Sequence, residues 1–153
     1  MTTKAYTGAG SSLQTSPDGV TYTPIAQVKM IKPSGAKLKT GDITNLSSPT
    51  TSGGVVVDEF IPTTMDPGTY DLTGITDPGN STYFNLMTLQ ETATLEYFKL
   101  VLPDTSNFKF QGYLTDFTPA DIDVSKPIEF TAKIKVSGPS TFTQAGTGLT
   151  VQE

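Results

Sequence analysis

The fold is decided by residues 128–136, IEFTAKIKV, in which apolar and polar side chains alternate without a break. Side chains along an extended strand point to opposite faces in turn, so this stretch has one apolar face and one polar face. Residues 108–115, FKFQGYLT, repeat the pattern with Phe108, Phe110 and Leu114 on the apolar side. Two such strands predict an antiparallel sheet that packs one face on a core and leaves the other in water.

Further stretches are rich in β-branched and aromatic residues and favour strands: residues 20–30, 55–61, 69–75 and 94–102. Turn sequences separate them, as in SPDG at residues 16–19, where proline presets one turn position and glycine tolerates a positive φ. Together with the two alternating stretches, these segments predict a sheet protein of five or six strands.

One helix is predicted, over residues 81–91. Side chains recur there at the spacing of one helix face, namely Tyr83, Leu86, Met87 and Gln90, flanked by Phe84 and Leu89. The preceding DPGN at residues 77–80 supplies a capping side chain and a proline that a first helical turn tolerates. We expect this stripe to pack on the sheet. The predicted fold is therefore mainly β, a β-sandwich or barrel with one flanking α-helix.

Three polar segments contain little that a core could bury. They are an extended N-terminal arm over residues 1–16, a long loop that is most polar over residues 45–54, and an extended C-terminal arm that is most polar over residues 141–153. Segments of this composition order only when they meet a partner. A loop of this length inside a compact domain is usually functional or disordered, so all three segments are expected to be mobile in a monomer.

The composition excludes most kinds of site chemistry. The chain has no Cys, His or Trp, and all ten basic residues are Lys. It therefore lacks an imidazole for acid–base work or metal binding, a thiolate nucleophile, and any zinc-thiolate site. Asp121 and Asp123 follow Pro119 in a predicted turn, and the adjacent Asp58 and Glu59 would point to opposite faces of a strand. We expect no enzyme activity, no cofactor and no metal.

The charge is acidic, with 15 Asp and Glu against 10 Lys and a net charge of −5. Binding to nucleic acid depends on clustered cations, so the chain is not expected to hold DNA or RNA tightly. No stretch approaches the ~20 apolar residues of a membrane span, and the N-terminus lacks the apolar block of a secretory signal. We expect a soluble protein without a membrane partner.

The order of these pieces resembles that of the tail tube proteins, or major tail proteins, of long non-contractile-tailed bacteriophages. The similar pieces are SPDGVTYTPIAQV at residues 16–28, DEFIP at 58–62, DPG at 66–68, DPGN at 77–80, LVLPD at 100–104, FKFQGYLTDF at 108–117 and AKIKVSG at 132–138. No single piece is specific to the family, but their order spans nearly the whole chain.

The resemblance implies a single tail-tube domain over residues 1–153 that assembles into hexameric rings, which stack into a hollow tube. It implies growth around a tape-measure protein, closure by a tail terminator protein, and passage of DNA through the finished tube without specific binding. It places the protein in the phage tail of the virion, and in the host cytoplasm during assembly. It assigns ring and stack contacts to the arm at residues 1–16, the loop at 40–58 and the arm at 138–153.

Two groups of residues are candidates for these roles. Residues 55–61 are β-prone and follow a loop with nothing to cover them, and such a segment is a template for pairing with another chain. The predicted assembly interface comprises Val55, Val57, Asp58, Phe60 and Ile61. An acidic wall would repel DNA and ease its sliding. Asp121 and Asp123, near Asp116, are therefore predicted to face the lumen.

A binding module is the alternative interpretation, either a β-sandwich carbohydrate-binding domain or a bacterial adhesin domain. Such modules are also Thr-rich, Cys-free and acidic. They usually present a flat row of aromatic side chains that often includes Trp, which this chain lacks. Tyr97, Tyr113 and Phe117 can form at most a small platform, and packing in the core or on a sheet face is the simpler interpretation for them.

Overall fold

A computed structural model describes residues 7–120, 122–146 and 150–152 of the chain. This part of the chain contains eleven strands and one helix. In chain order they are β1 (Ser12–Ser16), β2 (Thr23–Pro24), β3 (Val28–Pro33), β4 (Lys37–Asp42), β5 (Phe60–Asp66), β6 (Thr69–Ile75), α1 (Ser81–Thr92), β7 (Glu96–Val101), β8 (Asn107–Pro119), β9 (Glu129–Val136), β10 (Thr141–Thr143) and β11 (Thr150–Gln152).

One antiparallel sheet contains nine of these strands, in the order β2-β1-β7-β8-β9-β6-β3, with β10 paired to β8 and β11 paired to β10. The long strand β8 takes part in two halves of this sheet. Its first residues pair with β7 and its last residues pair with β9. The register shifts between Leu114 and Asp116, which marks a β-bulge, and a bulge bends a strand and strengthens its twist.

The sheet folds over at β8 into two layers, which enclose the core. The β7 layer comprises β2, β1, β7, the first half of β8, β10 and β11, and the β9 layer comprises the second half of β8, β9, β6 and β3. The ring of Tyr70 in β6 stacks on Phe110 in β8 with 4.3 Å between centroids, and Phe98 in β7 stacks on Phe110 at 5.5 Å. The predicted β-sandwich is thus confirmed, and the described strands do not close into a barrel.

The alternating stretches behave as predicted. Along β9, Phe130, Ala132, Ile134 and Val136 are buried, and the side chains between them are exposed except for the partly buried Glu129 at the start of the strand. Strand β6 covers the predicted residues 69–75 and strand β7 lies within the predicted 94–102. In β7 buried and partly buried residues alternate, so one face of the strand is packed more deeply than the other.

The predicted helix is confirmed as α1. Asn80 caps its first turn by accepting a hydrogen bond on Oδ1 from the backbone N–H of Thr82, at 2.9 Å. The expected packing of the whole stripe is wrong in part. Leu86 is buried and Tyr83 and Leu89 pack on the core, but Phe84, Met87 and Gln90 are exposed. The helix rests mainly on one strand, β8, which covers only a narrow stripe of its surface.

The N-terminal arm ends earlier than predicted, because residues 12–16 form strand β1 between β2 and β7. Leu13 and Ser16 are buried there. The C-terminal arm likewise contributes β10 and β11 to the sheet. These short polar segments contribute mainly backbone hydrogen bonds to the sheet. Such bonds cannot be predicted from the number of apolar residues in a segment.

Two other predicted strands have different bounds. Residues 20–30 are interrupted, since Gln27 has φ 63° and a residue in the left-handed region cannot continue a strand. Residues 55–61 are a strand only from Phe60 onwards, with one isolated bridge between Thr50 and Val56 before it.

The core predicts a contrast between two phenylalanines. Phe98 is 0% exposed and Phe84 is 66% exposed. Replacing Phe98 with Ala should lower the free energy of unfolding by about 3–5 kcal/mol, the usual cost of an emptied aromatic site. Replacing Phe84 with Ala should change it by no more than about 0.5 kcal/mol. Urea denaturation of the monomer, followed by circular dichroism, measures both, and equal losses would contradict the assigned core.

Candidate functional site: assembly surfaces

A β-hairpin stands outside the main sheet. Strands β4 and β5 pair only with each other among the described residues, and residues 43–59 connect them. We call residues 37–66 the hairpin arm. The sequence predicts an exposed loop over residues 45–54, and these residues are exposed apart from Ser48. The contact segment at residues 40–58 that the resemblance implies starts within β4 and ends just before β5.

The hairpin arm exposes an unusual amount of apolar surface. Its exposed large apolar side chains are Leu38, Ile43, Leu46, Val55, Val56, Val57, Phe60, Ile61 and Met65. A two-stranded hairpin is marginally stable in water, and contiguous exposed apolar side chains mark an interaction surface. Burying one such side chain is worth about 1.5–3 kcal/mol. The arm therefore carries a large driving force for association.

Hydrogen bonds hold the end of the hairpin arm in one shape. The buried Ser48 donates from Oγ to Oε2 of Glu59 at 2.5 Å, and the Glu59 N–H donates to Oγ1 of Thr44 at 2.8 Å. The Val57 N–H donates to the Pro49 carbonyl at 2.8 Å. The polar groups at the end of the arm are hydrogen-bonded to one another, whereas the valines at residues 55–57 lie on its surface.

The structure brings the predicted interface residues together on this arm. Val55, Val57 and Asp58 lie at its end, and Phe60 and Ile61 begin β5. All five are exposed. The Asp58 side chain makes no hydrogen bond or ion pair with any described residue. Sequence reasoning missed Leu38 and Met65, which lie opposite each other in the ladder, because the pairing of β4 with β5 is not visible in the sequence.

The predicted lumen residues belong to the loop between β8 and β9. Asp123 is exposed, and its Oδ1 accepts hydrogen bonds from the N–H and the Oγ of Ser125, both at 3.0 Å. The backbone hydrogen bond from Ser125, more than the hydroxyl bond, lowers the pKa of Asp123, so this carboxylate is ionised at neutral pH. Asp121 lies outside the described residues. Ile122 and Val124 are exposed beside Asp123, which makes this loop a second apolar surface.

The two layers carry different charges on their outer faces. Across the β9 layer, the cross-strand partners alternate in sign in the row Lys32, Asp71, Lys133 and Asp116. Across the β7 layer, the corresponding row reads Gln14, Lys99, Lys109 and Thr141. The acidic cluster predicted around Asp116 is therefore partly neutralised, because Lys133 lies directly opposite Asp116.

The turn before β2 is held by an acid. Oδ1 of Asp18 accepts from the Ser16 hydroxyl at 2.7 Å and from the N–H groups of Val20 and Thr21 at 2.9 and 3.1 Å. These bonds, that from Ser16 first, lower the pKa of Asp18 to about 2. The turn thus keeps a charged carboxylate at its centre and places Gly19 against the ring of Tyr97.

The small aromatic platform of the alternative interpretation does not form. Phe117 packs in the core against Phe130, with 5.4 Å between ring centroids. Tyr97 and Tyr113 lie on the outer face, opposite Gln111 and Lys135 respectively, so Phe117 is not available to complete the platform. In the part of the chain that the structure describes, no group of three or more Asp or Glu is placed to hold a metal. Among the same residues, no helix has the length and apolarity needed to cross a bilayer.

The family model for the phage tail tube protein, TTP, matches residues 2–145. The chain belongs to the phage tail tube protein family. It is accordingly a structural, tube-forming protein of the phage tail and not an enzyme. A comparison with curated proteins gives no match.

Solved structures with the same fold come from several tail-like assemblies. The tail of an empty gene transfer agent particle, with C6 symmetry, superposes with a TM-score of 0.73 at 16% identity, covering 92% of this chain and 100% of that one. The SPP1 tail tube gives 0.60 at 14% identity, covering 88% and 77%. A sheath–tube complex of an extracellular contractile injection system, PVC, gives 0.59 at 9% identity, covering 94% and 87%. At these identities the likeness shows the fold.

The structure predicts where the monomer opens first. Strand β1 is paired on both sides, whereas residues 43–59 are bonded only within the hairpin arm. Amide hydrogen exchange of the monomer should therefore protect β1 together with β9 and exchange the arm first, because sparsely packed segments open at low free-energy cost. If the amides of β1 exchanged as early as those of the hairpin arm, residues 12–16 would belong to a mobile N-terminal arm, as the sequence predicts.

Proposed function

We propose that this tail tube protein polymerises as stacked hexameric rings into a hollow tube that conducts DNA during ejection, in a phage with a long non-contractile tail. The observation that carries the proposal is the hairpin arm, whose nine exposed large apolar side chains have no partner surface in the described monomer. The C6 symmetry of the gene transfer agent tail supports the number six. The non-contractile assignment rests on the order of sequence pieces, since contractile systems share the fold.

In this proposal the hairpin arm docks on a neighbouring copy. Val55, Val57, Asp58, Phe60 and Ile61 form the contact. Association costs an estimated 4–15 kcal/mol in lost translational and rotational freedom, which a few buried side chains at about 1.5–3 kcal/mol each offset. The remaining contacts come from residues 1–16 and 138–153 of a single tail-tube domain, with β1 and β10 serving as the anchored parts of those segments.

The finished tube lets DNA slide past without specific binding. Duplex DNA carries one charge per ~1.7 Å, so cations repeated around every ring would hold it. The net charge of −5 and the β8–β9 loop with Asp121 and Asp123 support an acidic or neutral channel, and we propose that these two acids face the lumen. A tape-measure protein inside the growing tube and a terminator protein at its end complete the set of partners.

Electron microscopy tests the assembly directly. Concentrated protein in negative stain should show hollow rings or tubes with six-fold symmetry. Replacing Val57 or Phe60 with Asp should stop polymerisation, because the charge would be buried in the contact, while the circular dichroism of the monomer stays unchanged. Phe84→Asp, at an exposed phenylalanine of α1 outside the hairpin arm, is the control.

Two results would contradict the proposal. Wild-type protein that stays monomeric at all concentrations would favour a binding module over a tube protein. Normal tubes from Val57→Asp and Phe60→Asp would agree with a tube function but would show that the contact is not formed by the hairpin arm.

The lumen assignment predicts an effect on ejection. Changing Asp121 and Asp123 together to Lys should still allow tubes but slow or block DNA ejection from reconstituted particles, because the added cations attract phosphate. Asp121→Asn with Asp123→Asn separates charge from the loss of the loop hydrogen bonds. Glu91→Lys, on the exposed side of α1, is the control for a reversed charge elsewhere on the surface. Normal ejection by the double Lys variant would place these acids outside the lumen.

A further inference from the structure

The outer face of the β7 layer contains an uncompensated pair of cations. Lys99 and Lys109 are direct cross-strand partners, and their neighbours in the same row, Gln14 and Thr141, are neutral. Like charges placed opposite each other on a sheet are destabilising. Neither of the two ion pairs among the described residues involves these lysines. The pair therefore destabilises the monomer. On the β9 layer of the same sheet, by contrast, neighbouring side chains of the corresponding row alternate in charge and attract each other.

Aromatic rings border the two cations. Nζ of Lys99 lies 4.7 Å from the ring centroid of Tyr22. The turn at Gly19 rests on Tyr97 so closely that an added Cβ would lie 3.1 Å from the ring. A hollow of about 310 Å³ beside them is lined in part by Tyr22, Tyr97 and Lys109. We call Tyr22, Tyr97, Lys99 and Lys109 the lysine shelf.

The hairpin arm has the complementary chemistry. From residue 40 to residue 98 the chain contains eight acids and no Lys. Asp42 accepts from the Thr44 N–H and Glu59 from Ser48, whereas the exposed Asp58 has no partner among the described residues. Val57 and Phe60 are exposed beside it. The arm thus offers one carboxylate without a cationic partner among apolar side chains, and the shelf offers two ammonium groups without an acidic partner among aromatic rings.

We propose that the lysine shelf receives the hairpin arm of a second copy, with Asp58 against Lys99 and Lys109 and with Val57 and Phe60 against the tyrosine rings. This inference rests on the proposed function, because it names the surface on which the arm docks. The contact joins two different surfaces, so each added copy leaves one arm and one shelf open. Such head-to-tail contacts close into rings or continue as filaments.

A complete reversal of charge tests the contact. The shelf variant carries Lys99→Glu and Lys109→Glu, and the arm variant carries Asp58→Lys. Each should raise the protein concentration at which tubes appear by on the order of tenfold or more, because like charges then face each other. The variant that combines all three changes restores opposite charges and should recover most of the loss. Sedimentation and negative-stain microscopy at low salt measure the threshold.

Controls separate this contact from net charge and from folding. Lys126→Glu reverses one cation in the exposed β8–β9 loop, half of the charge change in the shelf variant, and should leave the threshold near that of wild type. The differences between variants should shrink in 1 M salt, where the Debye length is ~3 Å. If the shelf variant melts at a lower temperature than wild type, Lys109→Gln, which only removes a charge, replaces it and should raise the threshold less.

The outcomes distinguish the inference from the function on which it rests. Tubes from the shelf variant, or from Lys109→Gln where it replaces that variant, at the wild-type threshold would overturn the docking surface and leave the tube function standing. A combined variant no better than its parents would do the same. If wild-type protein formed no tubes at any concentration, both the docking surface and the proposed tube function would be contradicted.

Discussion

Phe110 in the β7 layer stacks across the core on Tyr70 of the β9 layer, and it also stacks on Phe98, its cross-strand partner within the β7 layer. The rings come from three strands, β6, β7 and β8, and the Tyr70–Phe110 contact brings the two layers of one sheet into a single core. Strand β8 can take part in both layers only because its inward side chains find partners on each of them. The helix and the β8–β9 loop are placed by this arrangement, because α1 packs on β8 and the loop continues from it.

The hairpin arm is connected to this core without being packed on it. The core buries its own apolar side chains, such as Leu72 and Ile134. The arm instead satisfies its polar groups internally, through Ser48, Glu59 and Thr44, and leaves its apolar groups outside. This division gives a stable domain and a preformed adhesive element in one short chain. An element that is already shaped loses less conformational entropy on docking than a disordered loop does.

Much of the fold could be predicted because apolar residues recur in the sequence at the spacing of a strand or of a helix. Strand β9 alternates along its length and β8 alternates up to its bulge, and α1 follows a recognisable cap. Strands β1 and β10 could not be predicted, since their stability comes from backbone pairing with distant strands. The break at Gln27 depends on a local φ that its residue type does not signal. At the candidate site, exposure of Val57 and Phe60 was predictable from an uncovered apolar run. The juxtaposition of Lys99 with Lys109 was not, because ten residues of sequence separate them and only the strand register places them side by side.

The bulge in β8 has a consequence for how the chain can vary. Thr115 is the extra residue between Leu114 and Asp116, and it allows Asp116 to point outward and Phe117 to point into the core. Elsewhere in a strand, loss of one residue would exchange the two faces of everything beyond it. At Thr115 the same deletion would restore regular alternation and keep Phe117 inside. Thr115 is thus a position in β8 where loss of one residue would keep the inward and outward faces of the strand beyond it.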